Sequence, residues 1–174
     1  AIVGRPNVGK SSLLNMLARQ RVSIVDPTPG VTRDRVTTVI ELLGPLQTEE
    51  PRLLEVTDTG GYGVYTSSAG RFDDAGADLT RRTGHIESQI GEAVERADMI
   101  LFVIDAQDGV TALDETVAKL LRERAIGGKG RRAGASKTSV PVQVVANKVD
   151  AENWEAFALE ASRLGFGEAW PVSA

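Results

Sequence analysis

Cysteine is absent from this chain, and histidine occurs once, at His85. Without cysteine there is neither a disulfide framework nor a thiolate metal site. One imidazole is too few for a histidine-rich zinc or iron centre. Long apolar runs are missing as well. The strongest, Met99 to Ile104, stops at Asp105, far short of the ~20 residues of a membrane-spanning helix. No signal peptide opens the chain, so no membrane partner is expected, and the expected compartment is the cytoplasm. Positive charge is not in excess: 20 Lys and Arg against 24 Asp and Glu leave a formal net charge of −4. Bulk electrostatics therefore provide no general attraction to nucleic acid or to an anionic membrane. The 174 residues, 41% hydrophobic and 25% charged, suit one soluble domain. A domain of this size buries roughly 70% of its unfolded surface and needs no covalent staples.

Strand-like and helix-like segments alternate along the chain. Ala1-Ile2-Val3 opens inside a strand and runs into a glycine turn. A helix is expected from Lys10 to Gln20, with Leu13, Leu14 and Leu17 on one face. Strands follow at Arg35–Leu43 and Leu53–Thr57, separated by a loop holding Pro45 and Pro51. His85–Arg96 has helical spacing. Met99–Ile104 has no alternation, as befits a central parallel strand covered on both faces. A helix at Ala112–Arg124, a strand at Val140–Ala146, a helix at Glu152–Leu164 capped by Gly165 and a short strand at Glu168–Val172 complete the pattern. Such alternation implies right-handed βαβ crossovers and a mostly parallel α/β sheet. Ligands of such sheets sit beyond the carboxyl ends of the strands. Tyr62–Gly84 and Gly127–Ser139, polar and glycine-rich, break the pattern and read as mobile insertions. Residues 1–174 are expected to form a single domain, excised from a longer chain.

The segment Gly4-Arg5-Pro6-Asn7-Val8-Gly9-Lys10-Ser11 has the spacing of a phosphate loop and lies between a strand and a helix, the context that chemistry needs. Its glycines let backbone N–H groups, those of Asn7, Val8 and Gly9 among them, turn toward an anion, and the helix start at Lys10, Ser11 and Ser12 adds partial positive charge. Lys10 is placed to reach β- and γ-phosphates, and the Ser11 hydroxyl to bind Mg²⁺. Asp58-Thr59-Gly60-Gly61 follows a strand; Asp58 can hold Mg²⁺ through water, and the Gly61 amide can meet a γ-phosphate. Thr32, within Pro29-Gly30-Val31-Thr32-Arg33-Asp34, can supply a second hydroxyl to Mg²⁺, or belong to an ordinary polar turn. Asn147-Lys148-Val149-Asp150 follows a buried strand. The Asp150 carboxylate can accept from guanine N1–H and the 2-amino group, where adenine offers no donor. Leaving a buried acceptor unpaired disfavours the wrong base by roughly 10⁴–10⁵. Asp150 also fits a plain helix cap. Asn147 is expected to brace neighbouring loops and touch the base edge, and the stem of Lys148 to cover the ring face.

These segments, with a terminal Ser173-Ala174, fall at strand ends in one order, and together they resemble the translation-factor-related GTPases. Gly4 to Ser11, Pro29 to Arg35, Asp58 to Gly61, Ala97 to Asp105, and Leu164-Gly165-Phe166-Gly167 with Val172-Ser173-Ala174 narrow the resemblance to the Der (EngA) family. It covers nearly the whole chain outside the two insertions and is nearest to that family's first GTPase domain. The resemblance implies a phosphate-loop (P-loop) NTPase of the switch-GTPase fold, three layers α/β/α around a mostly parallel sheet. It implies GTP and GDP as ligands with Mg²⁺ at Ser11, Thr32 and Asp58, and nucleotide contacts from Ser173 and Ala174. The large (50S) ribosomal subunit or its precursor is the implied partner. Where many switch GTPases carry a water-orienting glutamine, this chain has Tyr62. The resemblance implies K⁺ in its stead, held partly by Asn7, so that Asn7, Lys10, Thr32 and Gly61 carry catalysis and hydrolysis is slow without K⁺. Asn7 can alternatively serve the loop alone through local hydrogen bonds.

Competing readings are a GTPase domain of a tRNA-modifying (MnmE-like) protein and a nucleotide-gated binding module in which hydrolysis is incidental. Asp58-Thr59-Gly60-Gly61 separates the chain from the former, whose members usually carry Pro-Gly there. The isolated domain is expected to be monomeric. Asp105 reads as the cap of a turn, His85 as structural or exposed, Arg33 and Arg35 as solvent-facing, and Trp154 and Trp170 as packing residues. Lys129, Arg131, Arg132 and Lys137 form a basic run that suits either solvent or RNA phosphates.

Overall fold

The computed structural model describes residues 1–19, 36–42, 52–58, 88, 90–126, 139–149 and 154–174. Six strands and four helices alternate there: β1 Ile2–Val3, α1 Lys10–Arg19, β2 Val36–Leu42, β3 Arg52–Asp58, α2 at residues 90–96, β4 Ile100–Asp105, α3 Ala112–Leu121, β5 Val142–Asn147, α4 Trp154–Ser162 and β6 Trp170–Pro171. The sheet order is β2-β3-β1-β4-β5-β6. β2 runs antiparallel to β3, from Val36↔Asp58 to Leu42↔Arg52, and every other pairing is parallel. Short β1 is central, with Ile2 opposite Asp58 on one side and Leu101 on the other.

Neighbouring strand residues point to opposite faces, and both faces are covered. Ile2, Val103 and Val145 pack with Val8, Leu13 and Leu14 under α1. Val3, Phe102, Ile104, Val144 and Ala146 pack with residues of α2, α3 and α4 on the other side. The result is a three-layer α/β/α fold, and it explains why β4 reads as a continuous apolar run up to Asp105. Fully burying a side chain such as Phe102 or Ile104 (0% exposed) contributes about 1.5–3 kcal/mol. β3 is apolar but exposed at its start, with Leu53 70% accessible, because β1 meets it only at Asp58.

Helix ends follow local chemistry. Thr111 caps α3: its hydroxyl accepts from the Asp114 N–H while the Asp114 carboxylate accepts from the Thr111 N–H, a reciprocal cap. The expected helix to Arg124 divides, since α-geometry stops at Leu121 and a wider π-turn runs from Arg122 to Ile126. α4 ends at Ser162, two residues before the expected Leu164. After Ser162 the backbone tightens to Leu164 N–H···Ala161 and Gly165 N–H···Ser162 bonds, both 3.1 Å, and Gly165 ends the turn at φ +82°. Pro171 is tolerated because β6 is an edge strand. Of the two expected insertions, residues 62–84 and 127–138 lie outside the described residues, as do His85, Arg33 and Arg35.

Candidate nucleotide-binding site

The carboxyl ends of β1, β3, β4 and β5 converge on the turn between β1 and α1. The turn is fixed by what surrounds it. A Cβ on Gly4 would collide with the Val103 carbonyl of β4, and one on Gly9, at φ +90°, would run into the Asn147 side-chain amide. Val8 between them is fully buried under α1. The first helical bond is Leu13 N–H to the Gly9 carbonyl, at 2.9 Å. The N–H groups of Lys10, Ser11 and Ser12 therefore have no partner within the helix and mark its positive end.

Lys10 is buried and folds back over this turn. Its Nζ donates to the carbonyls of Gly4 (3.0 Å) and Arg5 (2.8 Å). Burial holds the ammonium below the ordinary lysine range, against an opposing pull from Asp58 and with a further push from Arg5. A desolvated cation whose direct hydrogen bonds go to carbonyls is placed to take an anion instead. The Ser11 hydroxyl donates to Asp58 Oδ2 at 2.6 Å. This pairs a first-turn hydroxyl with a carboxylate at the end of β3, two hard oxygen donors. Mg²⁺ characteristically takes one or two protein oxygens and leaves its other positions to phosphate and water. The donor set therefore fits Mg²⁺ beside a phosphate. Among the described residues no cluster of three or more His, Asp or Glu side chains offers a separate metal cage.

The second loop docks directly on the first. Asn147 is completely buried at the end of β5. Its Nδ2 donates to the Val8 carbonyl at 2.9 Å, and its Oδ1 accepts from the Ala174 N–H at 2.9 Å. It braces the phosphate loop and the Ser173-Ala174 segment at once. The Lys148 ammonium donates to the Asn7 carbonyl at 3.0 Å and to Asp105 Oδ2 at 2.6 Å. Asn7 (φ +64°) and Lys148 (φ +61°) are the only described residues other than glycine with positive φ.

The structure thus brings Asn7, Val8, Gly9, Lys10, Ser11 and Asp58 together with Asn147, Lys148 and Ala174; Ser12 and Ser173 are their chain neighbours, and Asn7, Ser11 and Ser12 are exposed. Thr32, Gly61 and Asp150 lie outside the described residues. Asp105, expected to cap a turn, does accept the Gln107 N–H at 3.0 Å, but it also holds Lys148. The parallel register that sets it beside Asn147 exists only in the folded sheet, so no sequence signal marks this second role. Trp154 packs at the core margin, 6.0 Å from the Phe157 ring, whereas Trp170 is 54% exposed on the edge strand and is not a packing residue.

A helix N-terminus, a lysine and a hydroxyl–carboxylate pair at the ends of parallel strands are the means by which α/β sheets hold phosphates. The fold and site define a phosphate-loop nucleotide-binding domain. The chain belongs to the 50S ribosome-binding GTPase family, whose model matches residues 1–148. GTPase Der of Rhodopirellula baltica is 44% identical over 99% of this chain and 31% of its own length. GTPase Der of Streptomyces coelicolor is 40% identical over 100% of this chain and 30% of its length. The resemblance to Der carried by the motifs is therefore borne out, and this chain spans less than a third of those relatives. Translation elongation factor SelB from Methanococcus maripaludis, solved with the GTP analogue GppNHp, shares the fold, with a TM-score of 0.56 at 16% identity over 99% of this chain and 28% of that one.

Proposed function

We propose that this chain is a GTP-binding and GTP-hydrolysing switch domain, monomeric by itself and cytoplasmic, acting in assembly of the large ribosomal subunit. The observation that carries this reading is the docking of Asn147 and Lys148 on the carbonyls of Val8 and Asn7 (2.9 and 3.0 Å). It sets the two loops side by side, as a nucleotide gripped by both would require. Family membership and the likeness to Der support the ribosomal role.

In this reading Lys10 leaves the Gly4 and Arg5 carbonyls for the β- and γ-phosphates, and the free N–H groups of the α1 start meet the phosphate oxygens. Ser11 and Asp58 part to hold Mg²⁺, with Thr32 as a further ligand. The ion, when bound, neutralises charge on the phosphates. Asp150 reads guanine, and Gly61 donates its N–H to the γ-phosphate. Asn7, exposed at the loop's tip, holds K⁺. Tyr62 offers no paired amide geometry for the attacking water, so the intrinsic rate is slow.

The test is phosphate release from GTP and ATP in matched KCl and NaCl, with and without 50S subunits. Expected is release from GTP alone, faster in KCl, altered by 50S subunits, and abolished in Lys10→Ala. Asn7→Ala should lose the difference between the two salts while keeping a basal rate. Equal turnover of ATP would overturn the guanine reading, equal rates of the native chain in both salts the K⁺ role, and indifference to 50S subunits the ribosomal role.

A further inference from the structure

The chain from the last residue of β4 to the first turn of α3 carries none of the nucleotide-binding motifs, yet three of its carboxylates grip the loops that do. Asp105 is buried. One of its oxygens accepts the Lys148 ammonium at 2.6 Å, and the other accepts the Gln107 N–H at 3.0 Å. Lys148 passes on to the Asn7 carbonyl at 3.0 Å. Both ends of that tie have left-handed backbones, at φ +61° and +64°, which non-glycine residues keep only where their surroundings impose them.

A second tie starts from the other side of the phosphate loop. The Arg5 guanidinium donates to Asp108 at 2.6 Å and to Asp114 at 3.3 Å. Asp114 is fully buried, and the same oxygen accepts the Thr111 N–H and hydroxyl at the α3 cap, so Arg5 is tied to a rigid helix start. The Arg5 carbonyl in turn receives Lys10. Desolvation cancels much of the attraction in a buried ion pair. Its sharper effect is directional, since a short charged hydrogen bond holds a long flexible side chain to one orientation.

We propose that residues 105–114 are a positioning element for nucleotide binding: Asp105 directs Lys148 across the phosphate loop, Asp108 and Asp114 hold Arg5, and the two loops thereby keep one spacing. The proposal rests on the guanine-nucleotide reading above for its ligand, but the ties themselves exist without ligand.

The test uses the whole chain and two readouts. The first is release of fluorescent GDP from the native protein, Asp105→Asn, Lys148→Ala and the double variant. The second is hydrogen–deuterium exchange of the nucleotide-free proteins. Asp105→Asn should speed release about tenfold, within the coupling expected of residues in contact. The double variant should release no faster than Lys148→Ala alone. Deuterium uptake should rise at Asn7 to Gly9 and not along β4 or β5. Native release with native uptake, multiplied effects in the double variant, or uptake rising equally across the sheet would each overturn the proposal. If Asp105→Asn does not fold, Lys148→Gln cuts the same tie at a half-exposed position and must raise uptake at Asn7 to Gly9; unchanged uptake overturns the proposal. If the native chain binds no GDP, the guanine reading fails while the exchange experiment still decides the positioning role.

Discussion

Gly9 shows how a single residue couples the turn between β1 and α1 to the Asn147-Lys148 loop. Its φ of +90° and the Asn147 amide above it leave no room for a Cβ. Gly9→Ala should cost on the order of 1–3 kcal/mol from backbone strain and weaken nucleotide binding more than that loss implies, because the displaced group is the brace between two loops. Denaturant melts beside GDP titrations of native and variant protein check this, and an alanine with native affinity would refute it. Asp105 makes a pH-dependent contribution. Burial alone would raise its pKa, but hydrogen bonds from Lys148 and the Gln107 N–H overcome that and hold the carboxyl below the usual carboxylate range. The sign follows: its charged form is favoured by folding, so its contribution is complete above the unfolded carboxyl pKa and fades as pH falls through the lower folded value. Native protein should therefore exceed Asp105→Asn in stability at pH 7, and the gap should close as the pH falls below the ordinary carboxylate range. Urea melts of both proteins across that range measure it, and a gap constant with pH would contradict it.

Among the elements, the central strands carry the frame on which the site is hung. Phe102 of β4 is fully buried, its ring edge-on to Phe166 with centroids 6.2 Å apart. Phe102→Ala should lower stability by about 3–5 kcal/mol, read as a fall in denaturation midpoint, whereas a loss under 1 kcal/mol would mean the core is not packed as described. The unbroken apolar run of β4 made that strand legible from sequence, since burial on both faces removes alternation; β5 was legible from its Val-Val-Ala end despite Gln143. Strand ends were legible within a residue or two, because Asp105 and Asn147 each halt an apolar run where the sheet meets the site, and Asp58, the last residue of β3, opens the Asp-Thr-Gly-Gly motif. The split of α3 into a helix and a π-turn at Arg122 was not, for nothing local distinguishes Arg-Glu-Arg-Ala-Ile from ordinary helix. The exposure of Trp170 was equally hidden, because an edge strand is defined by a missing neighbour rather than by its own residues.

For the whole molecule, the site is made by topology. β1, β3, β4 and β5 are dispersed along the chain and adjacent in the sheet, so motifs more than a hundred residues apart meet at the strand ends. The motif spacing announced the phosphate loop and Asn147-Lys148 directly, because each is a short local pattern whose chemistry is tied to its residues. The ties that lock them, Lys148 to Asp105 and Arg5 to Asp114 (2.6 and 3.3 Å), are long-range pairings between residue types common everywhere, and only the folded arrangement singles them out. The claim on which the rest depends is that one guanine nucleotide spans both loops. Competition of GDP and ADP for the site, measured by displacement of fluorescent GDP in K⁺ buffer, tests it most directly. GDP should displace the probe at concentrations roughly 10⁴-fold below those ADP requires, the discrimination available to a buried acceptor matched to guanine; displacement by ADP at concentrations similar to GDP would contradict it.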